Sequence, residues 1–227
     1  MHWSKSAPAA FLGVAAVLGA AAQQPPPTPA PRFLVVIDAA HGGDDAGGKL
    51  DTGTLEKTAN LTMSVRLRSL LGARGISVVT TRESDAAVDS NRRAEIANRL
   101  NAGACLSLHA TESGSGIHLF ASSLTPAQPV RFPAWKTAQA AWVTRSLALA
   151  GVLNSALDHA GIAVTLSRTA LPGIDSMTCP ALAVEIAPQR GEDNKVDAEP
   201  DDADYQARVA GALAAAIVQW RTEGRQP

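Results

Sequence analysis

The sequence carries almost no excess charge: 20 lysines and arginines stand against 21 aspartates and glutamates, a formal net charge of −1. That balance supplies neither a basic field for nucleic acid nor a one-signed surface for an oppositely charged partner, so specificity has to come from a local site. Cysteine is nearly absent, with two residues, Cys105 and Cys179. Each precedes an apolar run. They are therefore either neighbours joined in a compartment that permits disulfides or two separately buried small hydrophobes. The Gly-rich "HGGDDAGG" at 41–48 contains neither G-x-G-x-x-G nor a G-K-[ST] ending, which excludes a nucleotide-binding loop. No serine sits in a G-x-S-x-G elbow, so the serine-hydrolase signature is missing as well. No internal repeat is visible.

The one long apolar run, Ala7 to Ala22, includes Pro8 and is shorter than the roughly 20 residues a membrane-spanning helix needs. Lys5 before it and Ala20-Ala21-Ala22 after it have the form of an export signal with a small-residue cleavage site. The expectation is a signal peptide at 1–22, cleaved rather than kept as an anchor, and a mature protein that is periplasmic or extracellular. No cysteine near the cleavage site suggests a lipid anchor. "QQPPPTPAP" (23–31) reads as an extended Pro-rich linker. A single domain is expected over 32–222, followed by a short tail, 223–227.

Within that domain, apolar β-branched runs alternate with helical patterns. Strands are predicted at 32–38, 76–81, 104–110, 116–122, 162–166 (weak) and 181–187. Helices are predicted at 54–75, 89–103, roughly 134–160, and 203–221. The first of these shows Leu55, Ala59, Met63, Leu67 and Leu70 three to four apart and Gly75 as its stop. Such alternation predicts an α/β fold: one domain with a mostly parallel central sheet and helices on both faces. Sites in such sheets gather beyond the carboxyl ends of the strands. His41 follows "VVIDAA", His109 ends "ACLSLHA", and Glu185 lies near the end of "ALAVEIA", so three ionisable groups on three apolar strands are expected to meet at one rim.

Taken singly, each has a plainer role. A lone histidine is often structural, and Glu56 is an ordinary first-turn carboxylate at a helix N-terminus. Glu185 is harder to set aside, being the only charge in a seven-residue apolar strand, where carboxylates are seldom buried unpartnered. Together, two neutral imidazoles and one carboxylate make a zinc site with an open position. A second carboxylate beside it serves as general base. His118 in "GIHLF" is expected to face solvent or a neighbouring side chain rather than a metal, and His159 to lie at a helix C-terminus. Trp135 and Trp142, one heptad apart, are expected in the core. Arg82 and Arg93 gain no role from spacing alone.

"IDAAHGG", "LEKTANL", "TRESD", "AEIANRLNAGACLSLHAT" and "ALAVEIA", in that order, resemble the zinc-dependent N-acetylmuramoyl-L-alanine amidases of the type 3 (AmiC-like) catalytic domain. The resemblance covers nearly all of the chain from Arg32 onward. It implies Zn2+ as cofactor, His41, Glu56 and His109 as its ligands, and Glu185 as the catalytic carboxylate. The reaction implied is hydrolysis of the amide between N-acetylmuramic acid and L-alanine, with peptidoglycan or a muropeptide as partner. A zinc peptidase cutting another stem-peptide bond and a non-catalytic peptidoglycan-binding protein are the alternatives. Four departures stand out: Ala39 and Ala40 replace Pro and Gly before the first histidine, Thr111 replaces an Asn, and Ile-Ala-Pro-Gln follows Glu185. The segment 111–137, where family members can carry a blocking helix, is short and Ser/Pro-rich and gives no basis for autoinhibition. Nothing in the sequence identifies an activator.

Overall fold

Strand-forming and helix-forming stretches alternate from Phe33 onward, and each becomes an element of a layered α/β structure. The computed structural model describes residues 1–3, 33–131 and 133–223. The chain divides after Pro31, and among the described residues the strands and helices lie beyond that point. The expected signal peptide beyond its first three residues, the linker and the tail after Glu223 lie outside the described residues.

The strands are β1 (Leu34–Ala39), β2 (Ser77–Thr80), β3 (Ala104–Ala110), β4 (Ile117–Ser122), β5 (Val164–Thr169) and β6 (Ala181–Ile186), with a small antiparallel pair β7 (Gln189–Arg190) and β8 (Val196–Ala198). The helices are α1 (Glu56–Gly72), α2 (Ser90–Arg99), α3 (Val143–His159), the single turn α4 (Pro172–Asp175) and α5 (Ala203–Glu223). The main sheet has the order β2-β1-β3-β6-β4-β5. Its β1, β2, β3 and β6 run parallel, whereas β4 pairs antiparallel with β6 and parallel with β5. The expected mostly parallel sheet is therefore present, with one reversal. That reversal puts the start of β4 at the same rim as the ends of β1, β3 and β6.

Helices cover both faces. Leu106, Leu108, Leu182 and Val184 pack with Met63, Leu67 and Leu71 of α1, Leu149, Leu153 and Leu157 of α3, and Val209, Leu213 and Ile217 of α5. The alternate side chains Val36, Cys105, Ala181 and Ala183 pack with Ala94 and Ala97 of α2 and with Ile174, Met177 and Cys179. This is the two-residue period of strands expressed as two cores. In α1 the buried stripe is Ala59, Met63, Leu67 and Leu71, each four residues on. Leu55 precedes the helix in extended conformation and is exposed, and Leu70 is only partly buried, because Glu56 and not Leu55 turns inward at the first turn. The helix expected over 134–160 is broken: Trp135–Ala141 is a 3-10 segment with a non-helical Thr137, and α3 starts only after Trp142. The heptad register between the two tryptophans is lost across that kink, so Trp135 is 40% exposed rather than in the core. Among the described residues no helix is long and apolar enough to cross a membrane.

Cys105 and Cys179 form a disulfide across a sequence separation of 74, which settles the alternative left open by the sequence. Closing a loop of that size removes much of the freedom of the unfolded chain.

A buried polar network ties the end of β1 to its surroundings. Asp38, 4% exposed, accepts hydrogen bonds from Thr81 Oγ1 (2.6 Å), Ser107 Oγ (2.7 Å) and Arg93 Nη1. Arg93 also donates to the carbonyls of Ala39 (2.8 Å), His41 (2.8 Å) and Val88 (2.8 Å). Arg82 donates to the carbonyls of Ala39 (2.8 Å), Ala40 (3.1 Å) and Lys57 (2.7 Å). Both arginines are buried, so carbonyls that leave the sheet at this turn are satisfied by guanidinium groups rather than by water.

Two stability effects are expected. Replacing both cysteines by alanine should lower the unfolding free energy by roughly 2–5 kcal/mol in denaturant titration, and reducing the parent protein should remove most of the difference between the two. Arg93→Met should cost about 3–5 kcal/mol, because it leaves Asp38 charged, buried and without its cationic partner; a midpoint unchanged from the parent would show that the pair carries no such weight.

Candidate metal centre

Register places the site residues before any side chain is considered. His109 of β3 stands opposite Glu185 of β6, and Glu185 opposite His118 of β4. The three form a row across adjacent strands on one face, at the rim where β1, β3 and β6 end. His41 lies two residues past the end of β1, with φ of 64°. That left-handed conformation is uncommon for a residue with a Cβ, and Arg93 holds the His41 carbonyl in it. The Ala39-Ala40 departure from the family motif is thus accommodated: the turn is made by His41 and the glycines after it. Glu56 opens α1, where the helix dipole favours a carboxylate.

Three of these side chains converge. Glu56 Oε1 stands 3.2 Å from His41 Nε2 and 3.0 Å from His109 Nδ1, and the two rings meet edge to face at 5.4 Å. Donor atoms of the three lie within 4.8 Å of one another, the one such group of His, Cys, Asp or Glu among the described residues. Ligands about 2.1 Å from a tetrahedral ion stand about 3.4 Å apart, so the spacing and the N,N,O donor set both suit a small divalent cation.

The opposite ring nitrogens are engaged. His41 Nδ1 donates to Asp45 Oδ2 (2.8 Å), and that bond holds the Asp45 carboxyl below its usual range. His109 Nε2 faces Ser107 Oγ at 3.5 Å, whose hydroxyl donates to Asp38. Each imidazole therefore has its orientation fixed and its free nitrogen aimed at Glu56, an arrangement that strengthens metal ligands. Burial pushes the Glu56 carboxyl up, but hydrogen bonds with His109 and the Gly48 N–H (2.8 Å) and the nearby imidazoles outweigh it, leaving a pKa lowered from 4.5 to about 2. The group stays anionic throughout the physiological range. What it adds to folding stability is present above pH 4.5 and lost as the pH falls toward 2. Gly47, at φ of 65°, passes so close that a Cβ there would lie 2.6 Å from Glu56 Oε2 and 2.7 Å from the His41 ring.

Glu185 stands outside this trio. It shares a depression of about 270 Å³ with Glu56, His109 and Thr111. One carboxylate oxygen, Oε1, accepts a hydrogen bond from His118 Nδ1 at 2.8 Å. A second, larger depression of about 430 Å³ opens beside His41 and His109, between Ser90 and Pro172. The trio therefore lies between two open recesses.

Every residue singled out in the sequence as ligand or base is at this rim. Residues that spacing did not reveal also act here: Asp45, Ser107 and Asp38 behind the imidazoles, Arg82 and Arg93 behind the loop, and Lys57, whose Nζ donates to the Gly43 carbonyl (2.7 Å) and to Asp85 (2.7 Å). Arg93 lies one helical turn before Ala97, and both are buried on one face of α2.

A sequence model of the N-acetylmuramoyl-L-alanine amidase family matches residues 35–219. Over 96 residues the chain is 34% identical to N-acetylmuramoyl-L-alanine amidase AmiA of Escherichia coli (strain K12), covering 40% of this chain and 33% of that protein. Over 82 residues it is 37% identical to the sporulation-specific N-acetylmuramoyl-L-alanine amidase of Bacillus subtilis (strain 168), covering 35% and 32% respectively. The matched stretch thus spans about a third of each of these relatives. Among solved structures, the catalytic domain of CwlV, N-acetylmuramoyl-L-alanine amidase from Bacillus (Paenibacillus) polymyxa var. colistinus, superposes with a TM-score of 0.63 at 25% identity over 84% of this chain and 98% of that one. The N-acetylmuramyl-L-alanine amidase Ami1 of Mycobacterium smegmatis shares the fold, with a TM-score of 0.67 at 21% identity over 84% and 97%. The family model takes in residues from every strand of the main sheet and the convergent trio, and the chain belongs to the N-acetylmuramoyl-L-alanine amidase family.

Proposed function

We propose that this chain hydrolyses the amide between N-acetylmuramic acid and L-alanine in peptidoglycan, with zinc held by His41, Glu56 and His109 and with Glu185 as general base. The observation that carries the reading is the convergence of two imidazole nitrogens on one carboxylate oxygen, with a second carboxylate in the adjoining recess. The names of the relatives supply the substrate. Two imidazoles and a carboxylate favour zinc over the all-oxygen sites of magnesium or calcium.

An amide resists hydrolysis because its carbonyl is a weak electrophile and its amine a poor leaving group. Bound at the trio, zinc would supply Lewis acidity toward the carbonyl and bring the pKa of water at the site to about 7. The chain's own groups do the rest. Glu185, its Oε1 held by His118, takes the proton of the attacking water on Oε2 and returns it to the departing amine nitrogen. Asp45 and the Ser107–Asp38 pair keep the imidazoles from turning as charge changes beside them. The recesses on either side of the trio leave room for the groups flanking the scissile bond, the sugar on one side and the peptide on the other. The Ile-Ala-Pro-Gln departure after Glu185 is pinned to the start of β4, where Ala187 N donates to the Gly116 carbonyl (2.9 Å) and Gly116 N to the Pro188 carbonyl (2.9 Å). It thus shapes the wall beside the base without displacing it. We place the working protein outside the cytoplasm, consistent with a disulfide in its core.

Digestion of purified peptidoglycan should release stem peptides beginning at L-alanine, detected by mass spectrometry, and chelation should stop the release. Shortened stems still attached to sugar would instead identify a peptidase, and sacculus binding without products a binding protein. Glu185→Gln should lower turnover at least ~100-fold, the lower end of what a positioned general base contributes, while the protein retains one zinc by elemental analysis. Glu56→Gln should lose the zinc together with the activity.

A further inference from the structure

The sequence left His118 without a task, and the fold puts it against the proposed base. β4 runs antiparallel to β6, and His118 and Glu185 are register partners. Side chains of directly opposed residues on one face stand within contact distance. His118 Nδ1 lies 2.8 Å from Glu185 Oε1. The imidazole is the more enclosed member, its side chain 17% exposed against 30% for the carboxylate. Phe120, two residues along on the same face, meets the ring edge-on at 6.3 Å. Gly114, at φ of 87°, covers its other edge so closely that a Cβ there would stand 2.3 Å from Cε1 and 2.5 Å from Nε2. The Gly114 carbonyl is in turn held by Arg190 Nε (3.1 Å). The ring is therefore fixed on two sides, and its free donor points at one carboxylate oxygen.

We propose that His118 is a positioning residue for Glu185. It holds the carboxylate in one orientation through Oε1, so that Oε2 faces the recess shared with Glu56 and His109. A glutamate has three rotatable side-chain bonds and loses much freedom when ordered. Ordering it in advance keeps the base within reach of the water it deprotonates, where a displacement of about 1 Å can cost 100-fold. The inference rests on the reading of Glu185 as base.

The test compares His118→Leu, which removes the donor, with His118→Asn, whose amide can donate from near the Nδ1 position, in the full-length protein on peptidoglycan. His118→Leu should lower kcat by about 10–100-fold, the range typical when a partner that orients an active group is lost. KM should stay within about 2-fold, and zinc content and melting temperature should match the parent. His118→Asn should recover most of the rate. In the Glu185→Gln background, His118→Leu should cost nothing more, because it has no other route to the reaction. A full further loss in that background, or a rate unchanged by His118→Leu while Glu185→Gln abolishes it, would overturn the positioning role. Activity retained in Glu185→Gln itself would instead remove the base, and the positioning role with it. Should His118→Leu melt early, His118→Ala takes its place as the donor-free variant in the same comparison with His118→Asn and Glu185→Gln.

Discussion

The site depends on one buried carboxylate that stands outside the convergent trio. Asp38 joins the end of β1 to Thr81 after β2, to Arg93 on α2 and to Ser107 on β3. Through Arg93 it fixes the carbonyls of Ala39 and His41; through Ser107 it reaches the back of His109. A charge pair this far from water costs several kcal/mol to desolvate, and its return is geometric. Both histidine-bearing segments are referenced to the same carboxylate, so they cannot drift apart independently.

On that frame, two carboxylates at one rim acquire different environments. Glu56 is 7% exposed and meets two imidazoles and the Gly48 N–H, which together hold it as an anion. Glu185 is more open and meets a single donor, His118, on one oxygen. The first arrangement suits a ligand that never takes up a proton. The second suits a group that must accept one and give it back, since an oxygen already committed to several donors has little to offer a proton. The division of labour proposed for the pair follows from backbone register and packing, not from the chemistry of glutamate itself.

Much of this is legible in the sequence. Alternation of apolar runs with helical stripes is enough for the layered α/β fold, and the rule that sites gather at strand ends is enough to bring His41, His109 and Glu185 to one rim. What cannot be read depends on contacts between distant segments. No local pattern says that β4 reverses direction, and without that reversal His118 has no reason to meet Glu185. A buried arginine and a surface arginine look alike in a sequence, so spacing gives Arg82 and Arg93 no task. The kink at Thr137 has no Pro or Gly to announce it, and with it the expected burial of Trp135 fails. The two cysteines read equally well as neighbours or as separate core residues, and only the loop from α4 to β6 brings Cys179 under β3.

Zinc K-edge X-ray absorption on the protein carrying one equivalent of zinc tests the assignment of the trio most directly. Two imidazole ligands and light oxygen neighbours at about 2.0–2.1 Å with no sulfur are expected, with loss of the imidazole signature in Glu56→Gln. A sulfur shell near ~2.3 Å, or an all-oxygen shell without imidazole scattering, would place the metal elsewhere and contradict the assignment.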